Sequence, residues 1–173
     1  MTIHTDHPFD TPDEERDPVR RLRGRIGATV SLWTSGDGVE RAGLTVSSYL
    51  VATGDPGRVV GLLHADSDLL AQLEETGTAV VSLLGVGEQR LADAFAGVMP
   101  APGGAFRLGE WEQTEWGPRP GAVTTWTGVR LDAATRHDVG WSVLVEASIE
   151  HVEIGPDDAP LVHRRGRYQA PGS

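Results

Sequence analysis

Three short stretches of this chain carry residue types that could do chemistry. The first is AGLTVSS, residues 42–48, where a Gly and three hydroxyls sit on what otherwise reads as an apolar strand. In a strand, alternate side chains share a face, so Thr45 and Ser47 line one side while Leu44, Val46 and Ser48 line the other. Such a stripe pairs across a sheet, faces solvent, or offers its polar groups to a bound molecule. The second is HADS, residues 64–67, where Asp66 or Ser67 would cap a helix whose first N–H groups lack internal partners and carry the positive end of the helix dipole. A helix start of this kind is either a plain cap or a place for a phosphate. The third is LVHRRGRY, residues 161–168, with three Arg, a His and a Tyr around one Gly. It reads as a solvated basic tail or as a cluster facing an anion.

Composition removes several other chemistries. There is no Cys, which excludes disulfides, thiolate metal sites and Cys nucleophiles. All 15 basic residues are Arg, which excludes Lys Schiff-base chemistry. His4 and His7 lie among acidic residues but show no fixed ligand spacing, so no metal is expected. Neither GxGxxG nor GxxxxGK[ST] occurs, and no side chain stands out as a catalytic acid or base. A net charge of −10 opposes binding to nucleic acid or to an anionic membrane. No apolar run approaches the roughly 18 residues of a membrane helix, and the polar, acidic N-terminus lacks the layout of a secretory signal, which points to a cytoplasmic protein.

The elements that must position these residues are mostly strands. Residues 27–34 and 39–49 flank SGDG, whose Asp-Gly pair predicts a hairpin. Residues 58–64 and 78–84 read as short buried strands, and DSDLLAQLEETG between them predicts a helix with Leu69, Leu70 and Leu73 inward and Gly77 as its stop. Residues 88–97 repeat that design with Leu91, Ala94 and Phe95 inward. Residues 98–121, rich in Pro and Gly and bearing Trp111 and Trp116, form a long connection that either covers a site or packs at a subunit contact. Residues 122–133 and 139–154 read as two long strands around TRHD. Residues 1–18 are expected to be a disordered acidic arm, 19–169 the folded domain with a short basic helix over 19–25, and 170–173 a flexible tail.

In this order and spacing the residues resemble the flavin reductase-like family, which has the FMN-binding split-barrel fold. GLTVSS at 43–48, LLHADSDLLAQLEETG with the following VSLL, FAG at 95–97 and HRRGRY at 163–168 carry the resemblance, which spans roughly residues 21–168. It implies a mainly β fold, a split β-barrel of Greek-key type with a few short helices. It also implies an NAD(P)H-dependent reductase of FMN or FAD, with NAD(P)H as hydride donor, that supplies reduced flavin to a monooxygenase. Tightly bound FMN with another electron acceptor, or a non-catalytic cofactor-binding module, are the alternatives. By the same resemblance Thr45, Val46, Ser47 and Ser48 lie along the flavin ring, His64, Ala65, Asp66 and Ser67 approach the ribityl chain or phosphate, and His163, Arg164 and Arg167 lie near the nicotinamide or flavin edge. A two-fold homodimer is implied as well. The chain departs from the family pattern at two places. Asp66, Ser67, Asp68 and Leu69 stand where the family commonly has basic residues, its Ser and then a Thr, and Arg164 stands where it commonly has His.

Overall fold

The structure is a computed structural model and describes residues 17–169. The expected arm therefore lies outside the described residues except for Asp17 and Pro18. Asp17 caps helix α1 (Pro18–Arg25) by accepting from the Val19 N–H, and Pro18 opens the helix where its missing donor costs nothing.

Thirteen strands follow in chain order with two more helices. They are β1 (Ala28–Thr29), β2 (Ser31–Asp37), β3 (Glu40–Val46), β4 (Tyr49–Ala52), β5 (Arg58–His64), α2 (Asp68–Thr76) and β6 (Thr78–Leu83). After α3 (Gln89–Phe95) come β7 (Trp111–Gln113), β8 (Pro118–Pro120), β9 (Trp126–Leu131), β10 (His137–Val139), β11 (Ser142–Glu153), β12 (Val162–Arg164) and β13 (Arg167–Gln169). The main sheet runs β3-β2-β6-β9-β11-β5-β4, with β10 paired to β11. Its two ends, β3 and β4, are consecutive in sequence and joined only by Ser47 and Ser48. A sheet whose opposite edges are separated by only two residues of chain must curl on itself, because about 10 Å of extended chain from Val46 to Tyr49 cannot span a flat sheet of seven strands. The barrel closes there through the chain rather than through a ladder, and the seam is its split.

This is the chief departure from the sequence reading, in which 39–49 is one strand. Val46 is the last residue paired to β2, opposite Ser31, and Tyr49 already pairs with Gly61 of β5. The other expectations for this region hold closely. β5 and α2 fall at the expected positions, Ser67 caps α2 by accepting from the Leu70 N–H, and Gly77 ends it in the left-handed region at φ 73°. The first hairpin forms, but it pairs through Asp37 and Glu40, so Gly38 and Val39 make the turn. The segment read as one strand over 139–154 begins at Ser142, because His137–Val139 folds back to pair with it. The long connection holds the small β7–β8 ribbon.

Two cores hold the fold. The barrel interior packs Trp33, Val59, Leu63, Val81, Val129 and Val145 against Leu69, Leu70 and Leu73 of α2, which closes one end. Trp33 reaches across from β2 to β5, where a Cβ on Gly61 would lie 2.7 Å from its ring, so only glycine fits opposite the indole. A second cluster lies outside the barrel, with Leu32, Leu84, Ala92, Phe95 and Leu161 buried and Phe106 and Trp111 packed against them. β2 is buried on both faces for that reason.

Candidate functional site

The seam brings the three stretches to one region of the barrel. Leu62 donates its N–H to the Ser48 carbonyl, and the Ser48 hydroxyl donates to the Leu62 carbonyl at 2.9 Å. The seam therefore lies beside the end of β5, and His64, Ala65 and Asp66 continue outward from it, all exposed. On the other side, Tyr49 and Thr29 share a hydrogen bond of 2.9 Å between their hydroxyls. Thr29 sits opposite Val162, and Ala28 opposite His163, so the closing segment is tied to the same seam.

The hydroxyls of residues 45–48 divide into two kinds. The Thr45 hydroxyl donates to the Ala92 carbonyl of α3 at 2.6 Å, and that of Ser48 is held by Leu62. Ser47 sits between them, half-buried, and its side chain has no hydrogen-bond partner among the described residues. Among the described residues the N–H groups of Ser47 and Ser48 have no backbone partner either. Val46 faces the barrel interior and presents only backbone to the seam. Two backbone donors and a hydroxyl are thus open, at the meeting of two sheet edges, to a hydrogen-bond acceptor or to water.

The HADS segment is shaped by its own bonds. The Ser67 hydroxyl is committed to the cap of α2, and the Asp66 N–H donates to His64 Nδ1 at 3.3 Å. The remaining first-turn N–H groups of α2 face outward with Asp66 and Asp68, both exposed, beside them. An anion here meets the helix dipole and two carboxylates together.

The closing HRRGRY folds into a hairpin that sequence reading did not anticipate. Arg164 pairs with Arg167 across a two-residue turn in which both Arg165 and Gly166 take positive φ, 53° and 74°. The Arg164 Nε–H donates to the Arg25 carbonyl at 3.2 Å, at the end of α1, and the Arg165 N–H bonds the Gly24 carbonyl. Arg164 thus anchors the hairpin, while Arg167 is exposed and has no salt bridge among the described residues. His163 packs edge-on to Tyr168, with centroids 5.5 Å apart. Burial pushes the Tyr168 hydroxyl up to about 12, and the nearby Asp93 carboxylate of α3 adds to it. Burial holds His163 below the ordinary imidazole value, with the Arg23 charge adding to it and Asp93 opposing.

Asp93 carries no motif, and sequence reading passed over it. Its only signal is its place one residue past Ala92, whose carbonyl receives Thr45. Trp111 packs with Phe95 and Phe106 outside the barrel, and Trp116 lies over Gly128 and stacks on His151 at 5.1 Å, so neither reaches the seam. A concavity of about 400 Å³ between the β2–β3 turn, the end of α2 and residues 113–117 contains none of the candidate residues.

The depressed His163 value has a measurable consequence. A histidine held neutral in the fold takes up a proton more readily when unfolded, so its contribution is present above about pH 6.5 and is lost as the pH falls through the lower folded value. Thermal melts of the parent should fall more steeply between pH 7 and pH 5 than those of His163→Gln. Equal slopes would show that His163 is as free in the fold as in the unfolded chain.

Comparison with known proteins agrees with this fold. The chain is 25% identical over 150 residues to FMN reductase (NADH) RutF 1 of Methylorubrum extorquens (strain PA1), covering 87% of this chain and 73% of that one. Among solved structures it is similar to the NADH:FAD oxidoreductase SgcE6 of Streptomyces globisporus C-1027, with TM-score 0.79, 21% identity and coverage of 94% and 98%. It is also similar to nitrilotriacetate monooxygenase component B of Mycobacterium thermoresistibile, with TM-score 0.78, 21% identity and coverage of 88% and 84%. The model of the flavin reductase like domain matches residues 23–172, the whole barrel together with the closing hairpin, and the chain belongs to that family.

Proposed function

We propose that this chain is an NAD(P)H-dependent flavin reductase whose flavin, FMN or FAD, lies along the seam at residues 45–48. The observation that carries the reading is the pair of N–H groups at Ser47 and Ser48 that have no partner among the described residues, beside an open Ser47 hydroxyl, in a chain of this family. These donors suit the carbonyl edge of a flavin. Thr45 and Val46 would flank the ring, and His64, Ala65, Asp66 and Ser67 would lie toward its phosphate. When bound, the flavin supplies a hydride acceptor for the nicotinamide. The protein's share is orientation: Ser47 and Ser48 fix one ring edge, while His163 and Arg167 border the approach of the second nucleotide. Arg164 would act by holding the hairpin in place.

The names of the similar proteins support the electron donor and the flavin class, since one is called an FMN reductase (NADH) and another an NADH:FAD oxidoreductase. Supply of reduced flavin to a monooxygenase is the fitting downstream role, as in the protein named a monooxygenase component. A homodimer fits the edge strand β4, where Leu50 and Val51 are 75% and 60% exposed on an unpaired sheet edge. No helix of the described residues is long and apolar enough to cross a membrane, and a cytoplasmic site of action is part of this proposal.

Anaerobic mixing with FMN or FAD and then NADH or NADPH tests the reading. Loss of the oxidised flavin absorbance at a rate proportional to protein supports it. Flavin that binds but stays oxidised with both nucleotides would favour a non-catalytic cofactor-binding module.

A further inference from the structure

We propose that Trp141 is a stacking platform for the adenine ring of a dinucleotide, beyond the phosphate end of the flavin groove. The inference rests on the reading of residues 45–67 as that groove. Trp141 is 89% exposed and is the only exposed aromatic side chain among the described residues. It does not sit on a loose loop. Val139 pairs with Ser142, so Gly140 and Trp141 form a two-residue hairpin turn, and Gly140 supplies the positive φ of 58° at its first position. A large ring is thus held in water on a short turn, where it buries nothing of its own chain.

Strand register gives the place of that turn. Ser142 lies opposite His64, so residues 140–141 project alongside Ala65 and Asp66. On the other edge of β5, Leu62 is bonded to Ser48. The same end of the sheet therefore presents, in order, the seam at 47–48, the HADS segment and the 140–141 turn, each about 5 Å from the next. With the ring at the first position and the phosphate at the second, the third lies past the phosphate. FMN ends at that phosphate, whereas FAD continues through a second phosphate and a ribose into adenine, and NADH carries the same adenosine half. The charge distribution favours a neutral ring there over another anionic contact, because Asp66, Asp68 and Asp138 are all exposed at this end. Stacking of a base on an indole needs no cation, and every base has a face to offer.

Equilibrium titration of FAD and of FMN into the parent, Trp141→Ala and Trp141→Phe tests the assignment. Trp141→Ala should weaken FAD on the order of tenfold, the loss of one ring-on-ring stack, while FMN binding is unchanged and Trp141→Phe retains most of the FAD affinity. If the adenine belongs to the reductant, the same variant should instead raise the KM for NADH but not that for reduced nicotinamide mononucleotide. Either pattern supports the proposal and names the source of the ring. Equal weakening of FMN and FAD would overturn it by placing the indole on the flavin ring, and unchanged values for all four nucleotides would overturn it as well. A Trp141→Ala protein that sediments differently from the parent would overturn it in favour of a subunit contact. A parent that binds neither flavin would instead sink the groove reading on which it rests.

Discussion

Replacing Ser47 with Trp should severely weaken flavin binding while leaving the fold almost untouched. Ser47 lies between the two sheet edges, its side chain makes no hydrogen bond among the described residues, and it precedes a residue paired to nothing but the end of β5. An indole there fills the groove without entering a core, so the stability cost should stay within about 0.5 kcal/mol. The expected loss of affinity is about 100-fold, or about 2.8 kcal/mol. Thr45→Trp provides the contrast. Strict alternation puts Thr45 and Ser47 on the same face, but Thr45 is still inside β3, its hydroxyl is spent on Ala92, and the neighbouring Gly43 leaves room only for Phe95. Bulk at 45 must push α3 away, at a cost of about 1–3 kcal/mol. Flavin titration by fluorescence, run beside thermal melts, separates a lost site from a lost fold. Parental affinity in Ser47→Trp would remove the seam from the binding surface.

The contrast between these two positions shows where sequence reading stops. β5, α2 and β6 were legible because each carries its own signals: an apolar run, an Asp-Ser start, a leucine face and a glycine stop. The mainly β character and the barrel follow from those elements and from the family resemblance, which the match over residues 23–172 bears out. The split of 39–49 into two strands was not legible. Whether Tyr49 continues along β2 or crosses to β5 depends on Gly61 and Leu62, which lie more than ten residues away and display no local preference for it. The three motifs could be found singly, but the bonds that tie them together run through residues without motifs. Thr29 links the closing hairpin to Tyr49, Ala92 holds Thr45, and the Asp93 charge acts on both His163 and Tyr168. Arg164 illustrates the same limit from the other side: a guanidinium in a basic cluster looks like an anion ligand, whereas its Nε–H is bonded to a backbone carbonyl of α1.

Trp33→Ala should be among the most damaging single changes in the barrel, and its damage should reach the seam. Trp33 is fully buried in the barrel interior, with its ring over Gly61 on the opposite wall. Removing it leaves a cavity that the surrounding strands cannot close, because they are held in a curled sheet whose two edge strands are tied by Ser47 and Ser48, so the cost should be about 3–5 kcal/mol. The side chain also has a polar role. Its Nε1–H donates to the Ser31 hydroxyl at 3.0 Å, and that hydroxyl donates to the Val46 carbonyl at 2.7 Å. Val46 is the last paired residue before Ser47. The indole thus orients the serine that fixes where β3 ends, and with it the direction in which the Ser47 and Ser48 N–H groups point. Denaturant unfolding of Trp33→Ala and Trp33→Phe should show a large loss for the first and a smaller one for the second, which keeps most of the ring volume. Flavin affinity measured well below the unfolding transition should drop in both, because each removes the indole donor to Ser31. A Trp33→Phe protein that loses stability but binds flavin like the parent would show that the core holds the barrel without setting the seam.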